Sequence, residues 1–64
     1  MISGTIKMWN DSKGWGFIEG DDGEDYFIHI SKVRTGQNIK NNCRVKFDVS
    51  QGQRGPEADN VSLY

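Results

Sequence analysis

Residues 14–30 read GWGFIEGDDGEDYFIHI, two short runs of aromatic and β-branched residues separated by an acidic, glycine-rich segment. Aromatic and β-branched side chains favour strands, whereas clustered glycine and aspartate favour turns. The stretch therefore predicts strands over residues 14–19 and 25–30, joined by a tight acidic loop at residues 20–23.

Outside this stretch the pattern predicts three more strands and no helix of useful length. The first covers residues 4–9 and precedes a turn at 10–13, the fourth covers 44–50, and the fifth covers 57–63. A long polar connection, residues 31–43, separates the third strand from the fourth. Five strands in one 64-residue domain, residues 1–64, would leave exposed sheet edges. We therefore predict an all-β fold, a five-stranded antiparallel closed barrel of the oligonucleotide-binding (OB) type.

Period-two alternation along the strands decides which side chains face outward. We expect the core to be mainly aliphatic, with Ile6, Ile18, Ile28, Val45, Phe47 and Val49 pointing inward. That assignment forces four ring systems onto the outer face of two adjacent strands, those of Trp15, Phe17, Phe27 and His29. The reverse assignment would bury His29 and expose several β-branched aliphatic side chains, so it is disfavoured.

Exposed aromatic rings beside lysines are typical of proteins that bind unpaired nucleic acid. Bases stack on the rings, and Lys7 and Lys13 would neutralise phosphates. The small neighbours Gly14 and Gly16 would leave the flat faces of the rings open. We therefore predict that single-stranded RNA or DNA is the partner.

Two motifs on these strands resemble a known family. Residues 13–18, KGWGFI, resemble the first ribonucleoprotein motif of the bacterial cold-shock proteins, and residues 26–31, YFIHIS, resemble the second. Lys7, Asn10 and the Gly55-Pro56 turn also match. The resemblance implies a five-stranded barrel that binds single-stranded RNA and DNA with little sequence discrimination, as a nucleic-acid chaperone. The residues that we expect to bind nucleic acid are Lys7, Met8, Trp9, Lys13, Trp15, Phe17, Phe27, His29, Ile30 and Arg54.

The sequence departs from the family pattern at several of these positions. Met8 and Trp9 stand where the family usually has tryptophan then phenylalanine, and Ile30 stands where a phenylalanine commonly follows the histidine. Residues 32–43 lack the aromatic that the family carries there. We expect weaker binding and fewer contacted nucleotides as a result. Tyr26 replaces an inward aliphatic, so its hydroxyl should reach a partner or the barrel rim.

The charge of the chain is unevenly distributed. The formal net charge is −1, from eight Lys and Arg and nine Asp and Glu. Five of the nine acids lie within residues 19–25, a stretch that holds none of the eight basic residues. A basic face can therefore coexist with an acidic total. We interpret the acidic segment as a solvated turn that repels phosphate, since its spacing does not match a calcium loop.

Other classes of function find little support. With one cysteine, Cys43, the chain can form no internal disulfide and offers no zinc ligand set, so we expect no metal and no cofactor. His29 has no partner arrangement for catalysis, so we expect no enzymatic activity and no small-molecule substrate. We expect a cytoplasmic monomer without a membrane partner, since no signal peptide or spanning segment is evident.

One rival interpretation stays open. A small barrel could use the same exposed rings to bind a protein or a proline-rich peptide. The sequence does not decide between RNA and DNA either.

Overall fold

The computed structural model of the protein describes residues 1–34, 36 and 38–64. Its five strands are β1 (Ile2–Asn10), β2 (Trp15–Gly20), β3 (Asp25–His29), β4 (Arg44–Gly52) and β5 (Gly55–Leu63). They close into a barrel in the order β1-β2-β3-β5-β4. The predicted all-β barrel is thus confirmed. No helix in the described part of the chain is long and apolar enough to cross a membrane.

One pairing in the barrel departs from the antiparallel prediction. β3 and β5 run parallel, with Phe27 opposite Glu57, whereas the other strand pairs are antiparallel. A ring of five strands cannot alternate direction all the way round, because five is odd. Closure therefore requires at least one parallel pair, and the barrel is mixed.

The core is aliphatic, as the alternation predicts, and Tyr26 and Phe47 add two rings that contact each other edge to face at 5.2 Å. Its buried members are Ile6, Ile18, Tyr26, Ile28, Ile39, Val45, Phe47, Ala58 and Val61. Ile39 comes from the long polar connection and anchors that segment to the barrel. Six of these side chains are fully enclosed, so deleting their atoms would leave cavities.

Val49 was expected in the core, but its side chain is 45% exposed, so that prediction is wrong. The register shift between β4 and β5 does not flip it, because the extra residue lies on β5, between Ser62 and Asp59, and β4 keeps its alternation. Val49 lies opposite the buried Ala58, toward the end of β4, where the following residues Gln51 and Gly52 are exposed.

A second register shift lies in β1, between Ile6 and Met8. Strict alternation from buried Ile6 would point Met8 inward and Trp9 outward. The irregularity reverses both, so Met8 lies opposite Phe17 and is 38% exposed, while Trp9 packs against the core. The strand thereby contributes Met8 to the outer face of the sheet.

Candidate nucleic-acid interface

Strands β2 and β3 place the predicted aromatic residues on one outer surface. Trp15 pairs with His29 and Phe17 with Phe27 across the two strands. The turn between β4 and β5 adds Arg54, and together the five side chains line a concavity of about 490 Å³. We call this the ring surface; it consists of Trp15, Phe17, Phe27, His29 and Arg54.

The rings on this surface contact one another. The centroids of Trp15 and Phe27 are 6.2 Å apart with planes inclined by 24°, whereas Phe17 stands nearly perpendicular to Trp15 at 6.0 Å. Phe17 also meets Phe27 edge to face at 5.9 Å. Such contacts hold the rings in fixed orientations, so the arrangement of the three rings is set by the protein itself.

Gly16 allows β1 and β2 to approach closely behind the ring surface. A Cβ at this position would lie 2.1 Å from the carbonyl oxygen of Met8 and 2.9 Å from the Trp9 ring. Neither group can retreat, because one is backbone and the other packs against the core. Glycine is therefore required by packing, and not only by the need to leave the neighbouring ring faces open.

Phe27 is less accessible than the sequence suggested. It faces outward, but only 9% of it is exposed. The Arg54 guanidinium carbon lies 4.6 Å from the centre of its ring, a cation–π contact. Phe17, by contrast, is 37% exposed. On the ring surface, Phe17 is therefore open to solvent, whereas Phe27 lies beneath the Arg54 guanidinium.

His29 is fixed by the short 3₁₀ turn, residues Ile30–Lys32, that follows β3. Its Nδ1 accepts a hydrogen bond from the Ser31 backbone N–H at 3.1 Å and lies 2.9 Å from the Ser31 hydroxyl. Because Nδ1 acts as an acceptor, the neutral ring carries its proton on Nε2. The imidazole is therefore held in one orientation with an N–H donor at its far edge.

Met8 and Lys7 extend the ring surface on the β1 side. With Phe17 and Asp25 they line a smaller concavity of about 220 Å³. The Lys7 ammonium lies 3.3 Å from an Asp25 carboxylate oxygen, and both side chains are half exposed. A pair this exposed contributes little to stability, so the lysine can exchange its partner for a phosphate at small cost.

Trp9 and Ile30 lie elsewhere. They line a third concavity, of about 550 Å³, which we call the Ile30 cavity; its lining residues are Trp9, Asp11, Ile30, Asn38, Ile39, Lys40 and Asn41. Ile30 was expected within β3 but falls in the 3₁₀ turn and is 46% exposed. Lys13 is exposed in the turn after β1 and lines none of these three concavities.

The acidic segment makes specific contacts that the sequence interpretation missed. Asp21 accepts two hydrogen bonds of 2.8 Å from the Arg44 guanidinium, which lowers the pKa of that carboxyl and raises the pKa of Arg44. Asp25 pairs with Lys7. The described residues contain no group of three His, Cys, Asp or Glu side chains arranged to hold a metal. This segment therefore anchors neighbouring strands as well as carrying charge.

The hydroxyl of Tyr26 reaches a partner at the barrel rim, as its inward position predicts. Its hydroxyl donates to an Asp22 carboxylate oxygen at 2.5 Å, and the Glu24 backbone N–H donates to the other oxygen at 3.0 Å. The hydrogen bond to Asp22 raises the pKa of Tyr26 to about 12, with burial adding to the shift, and the same bond lowers the pKa of Asp22. The hydroxyl is therefore satisfied at the barrel rim.

Six side chains around these concavities were missed by sequence reasoning, namely Asp11, Asp25, Asn38, Ile39, Lys40 and Asn41. All but Ile39 are polar or charged residues in or beside turns and connections, where such residues are common for reasons of solvation alone. No pattern in the sequence distinguishes them from their neighbours. Only the approach of distant segments shows that they line a concave surface.

Comparison with known proteins gives consistent matches over nearly the whole chain. A family model described as 'Cold-shock' DNA-binding domain matches residues 2–64. The chain is 44% identical over 66 residues to "Cold shock protein" of Arthrobacter globiformis, with 98% of each chain covered. It is 42% identical over 64 residues to "Major cold shock protein" of Streptococcus pyogenes, covering 97% of this chain and 96% of that protein.

A solved structure described as "drosophila Unr CSD456" superposes with a TM-score of 0.83 at 26% sequence identity. The match covers 98% of this chain but only 26% of that longer chain. Barrel architecture, the two aromatic motifs and the full-length matches agree with one another. The chain belongs to the cold-shock domain family.

Proposed function

We propose that this protein binds single-stranded RNA or DNA with low sequence specificity and acts as a nucleic-acid chaperone that keeps strands unpaired. The observation that carries this proposal is the ring surface, where three aromatic rings in mutual contact lie on adjacent strands beside an arginine. The description of the matching family as DNA-binding supports the same conclusion.

Stacking explains the expected preference for unpaired strands. Every base has a flat π face, so rings such as Phe17 accept any base, each contact being worth about 1–3 kcal/mol. In a duplex these faces are already covered by neighbouring bases. Lys7, Lys13 and Arg54 would meet the phosphates, which adds affinity without reading sequence.

The test is a titration with an unstructured pyrimidine-rich oligonucleotide while tryptophan emission is recorded. We expect quenching, because a base would cover Trp15 on the ring surface, and much weaker binding of a duplex of the same sequence. Trp15→Phe should remove the quenching that arises at the ring surface, because Trp15 lines that surface and Trp9 does not. Equal affinity for single strand and duplex would refute the stacking mechanism.

The same titration at two salt concentrations separates nucleic-acid binding from the peptide alternative. Neutralising phosphates releases counterions, so affinity for an oligonucleotide should fall steeply as salt rises. Binding of a proline-rich peptide to the ring surface, with no response to an oligonucleotide, would favour the rival function.

A further inference from the structure

The Ile30 cavity carries an inference that rests on the proposed function and extends it to base selection. At about 550 Å³ it is as roomy as the ring surface, whose concavity is about 490 Å³. A phenylalanine at residue 30, the family pattern, would fill part of this space. The shorter isoleucine leaves it open.

The floor of the cavity is apolar and its rim is polar. Trp9 and the nearly buried Ile39 form the floor, a surface on which the flat face of a base can lie. At the rim, the Asp11 carboxylate can only accept hydrogen bonds when ionised, and it has no bonded partner among the residues that the structure describes.

Asn41 supplies a hydrogen-bond donor to the cavity, the counterpart of the Asp11 acceptor. Its Oδ1 accepts a hydrogen bond of 2.8 Å from the Trp9 backbone N–H, which fixes the amide and leaves its NH₂ group as the available donor. Lys40 lines the same cavity and adds an ammonium donor. The rim thus presents an acceptor, Asp11, and donors, Asn41 and Lys40.

We propose that the Ile30 cavity takes one unpaired base that bears an exocyclic amino group, and that it discriminates against uracil and thymine. The amino group would donate to Asp11, as the cytosine N4 amine does to acidic side chains elsewhere, while Asn41 or Lys40 would donate to an acceptor on the same edge. Uracil offers a carbonyl oxygen where cytosine has the amine, and that oxygen would leave the carboxylate without a donor.

Chain continuity places the cavity within reach of a bound strand. Ile30 directly follows His29, so the ring surface and the cavity meet at consecutive residues. A strand whose base stacks on His29 can therefore place an adjacent nucleotide at Ile30.

The test uses seven-nucleotide deoxyuridine oligonucleotides in which one position at a time is replaced by deoxycytidine. The two bases match in size and ring shape, so their stacking is nearly the same. We expect cytosine to tighten binding about fivefold at one position of the series, the lower end of what such contacts give, and to be neutral at the others.

Asp11→Ala should abolish this preference while leaving the affinity for all-uracil oligonucleotide slightly raised by the lost negative charge. Glu24→Ala, which removes another exposed carboxylate, in the acidic turn, should keep the cytosine preference. A preference that survives in Asp11→Ala overturns the inference, as does a flat series in the unmodified protein.

Ile30→Phe provides a second, independent variant. A phenyl ring would fill the cavity, so general affinity should rise through stacking and the cytosine preference should disappear. If the all-uracil oligonucleotide fails to bind the unmodified protein at all, the proposed function itself fails, a result distinct from binding without base preference.

Discussion

Phe17 and Ile18 are neighbours in sequence with opposite environments, since Phe17 is 37% exposed and Ile18 is fully buried. Phe17→Ala should weaken single-strand binding by about 1–3 kcal/mol, the cost of one lost stacking contact. Ile18→Ala should instead lower the free energy of unfolding by about 2–5 kcal/mol, because it leaves a cavity in the core. Oligonucleotide titration and urea unfolding of both variants measure the two effects. Unchanged binding with lost stability in Phe17→Ala would reverse the assigned faces.

A substitution at Phe27 will not separate an effect on oligonucleotide binding from an effect on folding as clearly as Phe17→Ala does. Its ring is 9% exposed and lies between neighbouring rings and the Arg54 guanidinium. Removing it takes away packing as well as a possible stacking partner. Phe17 is therefore the sharper probe of the ring surface.

The hydrogen bond between Tyr26 and Asp22 predicts a pH dependence of stability. The folded pKa of Tyr26 is about 12, above the value of about 10 for an unperturbed tyrosine, so its contribution is complete below pH ~10 and is lost as pH rises toward 12. The folded pKa of Asp22 is lowered, so its contribution is present above pH ~3.9 and is lost as pH falls below that value.

Tyr26→Phe should therefore lower the free energy of unfolding at neutral pH and flatten both limbs of its pH profile. Urea unfolding across the pH range measures this change. In an Asp22→Asn background the same substitution should cost less, because the two residues act as a pair. Identical alkaline limbs in the unmodified protein and Tyr26→Phe would contradict the proposed linkage.

Among the elements, β1 shows how one irregularity changes which side chains the outer face of the sheet presents. The register shift between Ile6 and Met8 brings Met8 opposite Phe17 and turns Trp9 toward the core. Methionine stacks on a base with about 0.3–1.5 kcal/mol, whereas a tryptophan ring offers about 1–3 kcal/mol. Met8→Trp should thus tighten single-strand binding about fivefold, that is by ~1 kcal/mol.

The salt dependence of Met8→Trp should match that of the unmodified protein, because the substitution adds no phosphate contact. Oligonucleotide titrations at several salt concentrations measure both quantities. A normally folded variant without a gain in affinity would mean that Met8 lies outside the path of the strand.

The strands themselves were predictable within one to two residues, because each combines β-branched or aromatic residues with flanking turn formers. Predictions made from the alternation within a single strand were less accurate at strand ends and at irregular pairings. Ile30 continues the apolar run of β3, yet it begins a 3₁₀ turn. The preceding residue, His29, accepts a hydrogen bond from the Ser31 backbone N–H and so caps that turn. Val49 continues the alternation of β4, yet it is 45% exposed because it lies toward the end of that strand. Period-two patterns give the face of a side chain but not how far the core extends, and a bulge such as the one in β1 changes the face itself.

Over the whole molecule, we expect the positions of the unpaired basic side chains to set how steeply oligonucleotide affinity falls with salt. Lys7 and Arg44 are paired with Asp25 and Asp21, whereas Lys13 has no ion-pair partner within residues 1–34, 36 and 38–64. Each phosphate neutralised on a single strand contributes about −0.7 to the slope of log affinity against log salt. Lys13→Gln should therefore make that slope shallower by about 0.7.

Lys46→Gln is the matched control for this prediction. It removes the same charge from β4, where the ammonium lies 5.7 Å from the Tyr64 ring and away from the ring surface. Its salt slope should equal that of the unmodified protein. Equal changes in both variants would mean that net charge, and not position, governs binding.

The sequence by itself determined the class of fold, the mainly aliphatic character of the core and the two strands that carry the outward aromatic rings. Those features depend on side-chain type and on the alternation within single strands, which are local properties. The tertiary structure decided the parallel β3–β5 pair, the outward turn of Met8, the exposure of Val49, the position of Arg54 over Phe27 and the opening beside Ile30. These depend on barrel closure and strand register, which are set by contacts between segments far apart in the chain.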